Sequence, residues 1–143
     1  MQLTRQTDYA YRILIYLAAL PEGELTQIQQ VCDYFDIARN HASKIVMKLN
    51  KLGYVKAYRG KAGGMELGKA PADINLGEIL RAFEPTLNPV NCAQPRCEFS
   101  PDCKLKNILN NAMRQFLAVL NEHTLADLLD KKIRLSVIRS HEK

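Results

Sequence analysis

The stretch ARNHASKIVMKLNKLGYVKAYRGKAGGMELG, residues 38–68, decides the fold. Its first half carries apolar residues at helical spacing, which predicts a helix from about Ala38 to Leu52 with Gly53 just after its end. Its second half contains two short runs, Tyr54–Tyr58 and Met65–Leu67, separated by a glycine-rich turn. This pattern predicts a β-hairpin directly after the helix.

Two further helices are predicted upstream. Apolar residues recur at helical spacing from about Asp8 to Leu20, with Thr7 as a candidate cap and Pro21 just beyond the end. A second helix is predicted from Thr26 to about Phe35, because Gln29 completes a capping-box pattern with Thr26. Three helices followed by a hairpin are the order of elements in a winged helix-turn-helix domain.

Two helices are predicted downstream, at Leu76–Phe83 and at Lys104 to about Asn121, followed by a short helical piece at Leu125–Leu129. The long helix is amphipathic, and residues 1–84 already supply a core of their own. A second copy of the chain is the simplest partner for its apolar face. We therefore predict a mainly α fold with a small β-hairpin, built as a winged helix-turn-helix domain plus a long dimerisation helix.

The chain divides into four predicted parts. Residues 1–84 form the winged helix-turn-helix domain, and 85–103 form a cysteine-containing loop. Residues 104–130 form the dimerisation helix and a short C-terminal helix. Residues 131–143 form a basic tail that we predict to be poorly ordered.

The free face of the third helix is polar and partly basic. A recognition helix presses its N-terminal polar residues against base edges, where Arg suits guanine and Asn suits adenine. We therefore predict base contacts from Arg39 and Asn40, and phosphate contacts from Lys44 and Lys48. The predicted DNA-binding residues, including two at the tip of the hairpin, are Arg39, Asn40, His41, Ser43, Lys44, Lys48, Arg59 and Lys61. The alternative is a small helical domain with a solvated polar face.

The distribution of charge is compatible with DNA binding. The net charge is +5, and residues 1–70 carry ten Lys and Arg against six Asp and Glu. An excess of this size is weak support by itself, because an ordinary solvated surface can carry it.

Three cysteines lie close together in the loop NCAQPRCEFSPDC: Cys92, Cys97 and Cys103. Clustered thiolates bind soft metals or iron–sulfur clusters. Structural zinc usually has paired, shorter cysteine spacings and four ligands, so it matches this loop poorly. Cys32 lies on the second helix and is interpreted as a small buried residue outside the site.

Several segments resemble the NsrR family of nitric-oxide-sensitive repressors, relatives of the IscR regulators of cluster biogenesis. The resemblance covers most of the chain to about Leu129. The matching segments are MQLTRQTDYAYRILIYLA (1–18), the stretch 38–68, LGEILRAFEP (76–85), VNC with PDCKLK (90–106) and TLADLL (124–129).

The resemblance implies a dimeric repressor that binds double-stranded operator DNA. It also implies an iron–sulfur cluster (4Fe-4S or 2Fe-2S) whose reaction with nitric oxide releases the DNA. The family's three cluster cysteines fall on Cys92, Cys97 and Cys103, and its fourth ligand falls on Asp8 of the partner subunit. In IscR-type proteins a histidine three residues after the third cysteine completes the site, and this chain has Lys106 there.

We interpret the chain as a cytoplasmic homodimeric regulator that is not an enzyme and has no membrane partner. No nucleophile–base pair, phosphate-binding loop, secretory pattern or membrane span is recognisable in the sequence. One alternative is a regulator that senses iron–sulfur status or redox stress. Another, from a different class, is a small non-regulatory iron–sulfur or zinc protein.

Overall fold

The structure is a computed structural model that describes all residues from Met1 to Lys143. It is mainly helical, with one two-stranded antiparallel hairpin, as predicted. The helices are α1 (Arg5–Ala19), α2 (Ile28–Phe35), α3 (Arg39–Lys51), α4 (Leu76–Phe83), α5 (Lys104–Asn121) and α6 (Lys131–His141), and the strands are β1 (Val55–Tyr58) and β2 (Gly64–Leu67). Two 3₁₀ turns lie at Pro71–Asp73 and Leu125–Leu128. No helix is both long enough and apolar enough to cross a membrane.

Helix α1 is the centre of the fold. It packs against α2, α3, α4 and α6, and its residues Ile13, Leu14 and Tyr16 are fully buried. They belong to one apolar core that also includes residues of α3, α4 and both strands. Helix α3 and the hairpin therefore pack on the same core as α1.

The hairpin is fastened to the start of α2. Thr26 forms a β-bridge with Met65, and the side-chain amide of Gln27 donates to the carbonyl of Gly63 at 2.6 Å. A Cβ on Gly63 would lie 2.2 Å from the carbonyl oxygen of Tyr58, so only glycine fits the turn there. These contacts hold the hairpin at a fixed position beside the helix-turn-helix.

Two predicted helix starts were wrong. Helix α1 begins at Arg5 with Thr4 as its cap, because Thr4 Oγ1 accepts from the main-chain N–H of Thr7. Helix α2 begins at Ile28, where the capping box is formed by Gln27 and Gln30. Thr26 is instead used in the bridge to β2, a long-range pairing that the local capping pattern does not reveal.

The prediction of a poorly ordered tail at 131–143 was also wrong. Helix α6 covers most of that segment, and Asp130 caps it by accepting from the N–H of Ile133 at 2.8 Å. Val137 is only 1% exposed, and Ile133, four residues earlier, packs against the same core. One turn of apolar spacing within a basic sequence is enough to dock this helix on α1.

Helix α5 has no buried residue. Its C-terminal end is fastened to α4, where Arg81 and Asn75 donate to the side chain and main chain of Asn121, each at 2.8 Å. The rest of its apolar face is open: Leu105, Ile108 and Val119 are 62%, 65% and 57% exposed. A row of exposed aliphatic side chains on one long helix is typical of a surface that another protein covers.

Candidate nucleic-acid interface and cysteine loop

Helix α3 presents its N-terminal residues to solvent. Arg39, Asn40, His41 and Lys44 are exposed, while Ser43 is half-buried. The guanidinium of Arg39 donates to Gln29 Oε1 at 3.0 Å, so α2 orients this side chain from behind. The turn between the two helices is stabilised by Ile37, which is buried. The sequence-predicted base-reading pair thus lies on an accessible helix end of defined orientation.

Lys48 makes contacts that the sequence does not reveal. Its ammonium group donates to the main-chain carbonyl of Ala82 and lies 4.7 Å from the centroid of the Phe83 ring. A cation at the carbonyl end of a helix is stabilised by the helix dipole. Lys48 therefore links α3 to the end of α4 while remaining exposed.

The tip of the hairpin carries the other predicted DNA contacts. Arg59 and Lys61 are both exposed in the turn between β1 and β2. They lie in the turn after β1 and outside α3, so the hairpin tip and the exposed face of α3 are two separate basic surfaces. Gly60 adopts a φ of +99° in this turn, a conformation that favours glycine.

Glu84 joins the end of α4 to the start of α1. One of its carboxylate oxygens accepts three hydrogen bonds: from Thr7 Oγ1 at 2.6 Å, from the main-chain N–H of Thr4 at 2.8 Å, and from Thr4 Oγ1 at 3.0 Å. Burial by itself raises the pKa of Glu84, but these hydrogen bonds outweigh it and hold the pKa below its ordinary value. The cysteine loop begins at the next residue, Pro85.

Replacing Glu84 with alanine is expected to lower the free energy of unfolding by about 1–3 kcal/mol at pH 7, because the fully buried Thr7 hydroxyl loses its charged acceptor. The pKa is lowered in the folded state, so this stabilisation is fully present above about pH 4.3 and is lost as the pH falls through the folded-state pKa. Urea unfolding at pH 7 and pH 3, with Glu22→Ala as the exposed control, measures it. An equal difference from wild type at both pH values would show that the carboxylate charge is not responsible.

Asp8 lies in the first turn of α1, and its carboxylate is paired with Arg12 one turn later. Arg12 Nε donates to one oxygen and Nη2 to the other, each at 2.9 Å. Both side chains are more than two-fifths exposed. Asp8 is therefore accessible to a second subunit, but a ligand role requires it to share or give up part of this pair.

The cysteine loop is turned back on itself by main-chain and side-chain hydrogen bonds. The N–H of Cys97 donates to the carbonyl of Cys92 at 3.1 Å, and Asn91 Oδ1 accepts from Ala93 N and Gln94 N. Cys103 is the N-cap residue of α5. Cys92, Cys97 and Cys103 are all free thiols and half-buried.

The chemistry of these donors fits an iron–sulfur cluster, since three accessible thiols are soft ligands. Their arrangement in the single chain is more open: no three His, Cys, Asp or Glu side chains converge closely enough to hold a metal ion. A cluster held by these three thiols would require the loop to close. Cys32 differs from the three, because it is buried in α2 and burial raises the pKa of its thiol.

These features match a family of regulators. A family model described as "Rrf2: Iron-dependent Transcriptional regulator" matches residues 3–131. The chain belongs to the Rrf2 family. Proteins of the Rrf2 family are transcription regulators rather than enzymes; they bind DNA and are typically dimers.

Solved structures of Rrf2 relatives resemble the chain over nearly its whole length. CymR (YrzC), the global cysteine regulator of B. subtilis, is 26% identical over 90% of this chain and 95% of its own, with a TM-score of 0.67. IscR of T. potens is 23% identical over 90% of this chain and 85% of its own, with a TM-score of 0.72. CymR of Staphylococcus aureus is 20% identical over 90% of this chain and 100% of its own, with a TM-score of 0.73. The last two likenesses establish the shared fold.

Sequence reasoning missed Glu84 and the tie made by Lys48. Glu84 is a single acidic residue between Phe83 and Pro85. No local pattern links it to Thr7 and Thr4, which precede it by 77 and 80 positions. Lys48 has the same exposed, helical context as Lys44, and only the position of α4 distinguishes them. Both contacts depend on the tertiary arrangement of α1, α3 and α4.

Proposed function

We propose that this chain is an NsrR-type repressor: a homodimer that binds operator DNA through α3 and the hairpin, and releases it when nitric oxide attacks an iron–sulfur cluster. The observation that carries the proposal is the set of three free, half-buried cysteines in a loop of an Rrf2-family chain. A bound cluster would supply the reactivity toward nitric oxide. Cys92, Cys97 and Cys103 would hold it, with Asp8 of the partner subunit as the fourth ligand.

The position of the loop supports coupling between cluster and DNA. The loop starts beside Glu84, which is hydrogen-bonded to the first turn of α1, and Ala82 and Phe83 contact Lys48 of the recognition helix. Closure of the loop around a cluster would pull on a segment that contacts both α1 and α3. Loss of the cluster would then change contacts that orient α3, so the two states would differ in named contacts.

A homodimer is supported by the open apolar face of α5. Its exposed aliphatic residues follow helical spacing, and a two-fold axis would pair them with the same residues of a second copy. A two-fold dimer would also present two recognition helices to half-sites roughly 34–36 Å apart, about one turn of DNA. Lys106, at the position of the IscR-type histidine, favours a carboxylate fourth ligand over IscR-type ligation.

A second candidate is a regulator that responds to a thiol metabolite without a cluster. It is favoured by the likeness to the B. subtilis global cysteine regulator and by the absence of three converging ligand groups in the single chain. Iron and sulfide content of anaerobically purified protein distinguishes the two candidates. Stoichiometric iron and sulfide supports the cluster, and DNA binding by metal-free protein that responds to thiols supports the second candidate.

The DNA-binding part of the proposal is tested with Arg39. Arg39→Ala is expected to cost about 1–3 kcal/mol on the operator and to relax its sequence preference, because a base contact is lost. Lys44→Ala, as the comparison, should weaken operator and random DNA by similar factors. Fluorescence anisotropy on both DNAs, after the operator is defined by footprinting, measures these effects. Equal losses on the two DNAs for Arg39→Ala would exclude base reading by this residue.

A further inference from the structure

A cleft of about 360 Å³ lies between the first turn of α1, one side of α3 and the end of α4. Four of its lining residues are basic or can become so: Arg5, His41, Lys44 and Lys48. None of the ten lining residues is acidic. The carboxylate of Glu84, which accepts from the main-chain N–H and the hydroxyl of the lining residue Thr4, offsets part of this charge, so the cleft keeps an excess of basic groups. The field at the cleft therefore favours an anion.

The cleft also has an apolar part, which we call its floor and which includes the buried side chains of Ile45 and Phe83. Tyr9, Ile45, Phe83 and Pro85 give it an apolar surface. Arg5 and Gln6 are the first two residues of α1, a helix of fifteen residues, and both line the cleft. The main-chain N–H groups of the first turn of a helix have no acceptor within that helix. An apolar floor with cations and N–H donors around it suits a ligand that joins an apolar body to a phosphate.

The side of α3 that lines the cleft is distinct from its base-facing side. His41, Lys44 and Lys48 recur at i, i+3 and i+7 and so form one stripe. At 100° per residue, the centre of this stripe lies roughly 70° around the helix from Asn40 and roughly 170° from Arg39, the two residues predicted to read bases. A helix in the major groove, which is about 12 Å wide, has a sugar–phosphate backbone along each flank. The stripe and the cleft lie where such a backbone would pass.

We propose that this cleft binds the sugar–phosphate backbone of the operator, with deoxyribose on the apolar floor and a phosphate held by Arg5 and Lys44. The proposal rests on DNA recognition by α3. It adds Arg5 and Gln6, which no sequence pattern assigned to the interface. It also places a DNA contact beside Pro85, the first residue of the cysteine loop, and beside Thr4, which is bonded to Glu84.

The test compares Arg5→Gln with Arg139→Gln, a matched charge change on the exposed face of α6. Arg5→Gln should reduce the slope of log affinity against log salt by about 0.9, for operator and for random DNA alike. If the affinities of the variant and the wild type coincide at 1 M salt, this slope change lowers the affinity of the variant about eightfold at 0.1 M salt. Arg139→Gln should leave both unchanged. Gln6→Glu, which introduces a carboxylate at a helix N-terminus where the fold tolerates it, should weaken binding to both DNAs as well.

An unchanged salt slope for Arg5→Gln, in protein with wild-type thermal unfolding, would overturn the cleft proposal. If Arg39→Ala still impaired operator selectivity, DNA recognition by α3 would stand, so the two failures are distinguishable. Inorganic phosphate at constant ionic strength separates DNA from a small anion. Saturable phosphate binding that Arg5→Gln abolishes, without any change in the salt slope for DNA, would make the cleft a small-anion site and contradict the proposal.

Discussion

Replacing Cys92, Cys97 or Cys103 with alanine is expected to abolish incorporation of an iron–sulfur cluster. Each replacement removes one of the three thiols in the loop, and the two that remain provide too few ligands to keep a cluster bound. Iron and sulfide per dimer, measured after anaerobic purification and reconstitution, report the effect. The loss should be complete, because no other free thiol lies in the loop.

Cys32→Ala is the matched control. It removes the fourth thiol of the chain, which is buried in α2 and whose raised pKa keeps it in the neutral form. Cluster content should remain as in wild type. A cluster that survives Cys97→Ala but disappears in Cys32→Ala would show that the ligands are misassigned.

Mixed dimers are expected to show whether a cluster is shared between subunits. One subunit carries Asp8→Ala, and the other carries Cys97→Ala. If the fourth ligand is Asp8 of the partner subunit, both lesions fall on the same site, and the other site keeps three cysteines and one aspartate. Such a dimer should hold one normal cluster, which native mass spectrometry of the tagged heterodimer can count.

Ligation within one subunit gives the opposite result, because each site then has a lesion and no normal cluster forms. The controls are the two homodimers. Cys97→Ala homodimers should hold no cluster, and Asp8→Ala homodimers should hold a weakened or altered one with the fold intact, since Asp8 is exposed and its main intrachain contact is the pair with Arg12.

Elements set by local periodicity were predicted well from the sequence. Helices α4 and α5 have the predicted bounds, because Asn75 and Cys103 precede uninterrupted amphipathic runs. The hairpin follows from the glycine-rich turn between two short apolar runs. Helix α6 was missed, because Val137 and Ile133 are too few to stand out in a basic segment, and only the groove on α1 makes them a docking face.

The candidate site was predicted only in part. The exposure of Arg39 and Arg59 agrees with the prediction made from residue type and position, and their contacts with DNA stay a prediction. Residues that act through tertiary contacts could not be predicted: Glu84 is defined by its bonds to Thr4 and Thr7, and the cleft exists only where three helices meet. The three cysteines do not converge in the single chain, and their sequence spacing does not specify how they would be brought together.

The most direct test is an anaerobic nitric oxide titration of the cluster-loaded dimer bound to operator DNA, followed by native mass spectrometry and fluorescence anisotropy on the same samples. We expect operator affinity to fall roughly 5–150-fold as the cluster is consumed, the range typical of allosteric coupling, while the dimer mass persists. Cys97→Ala protein should show no response. Operator affinity that stays constant after complete cluster loss, or that falls only as monomers appear, would contradict cluster-controlled DNA binding.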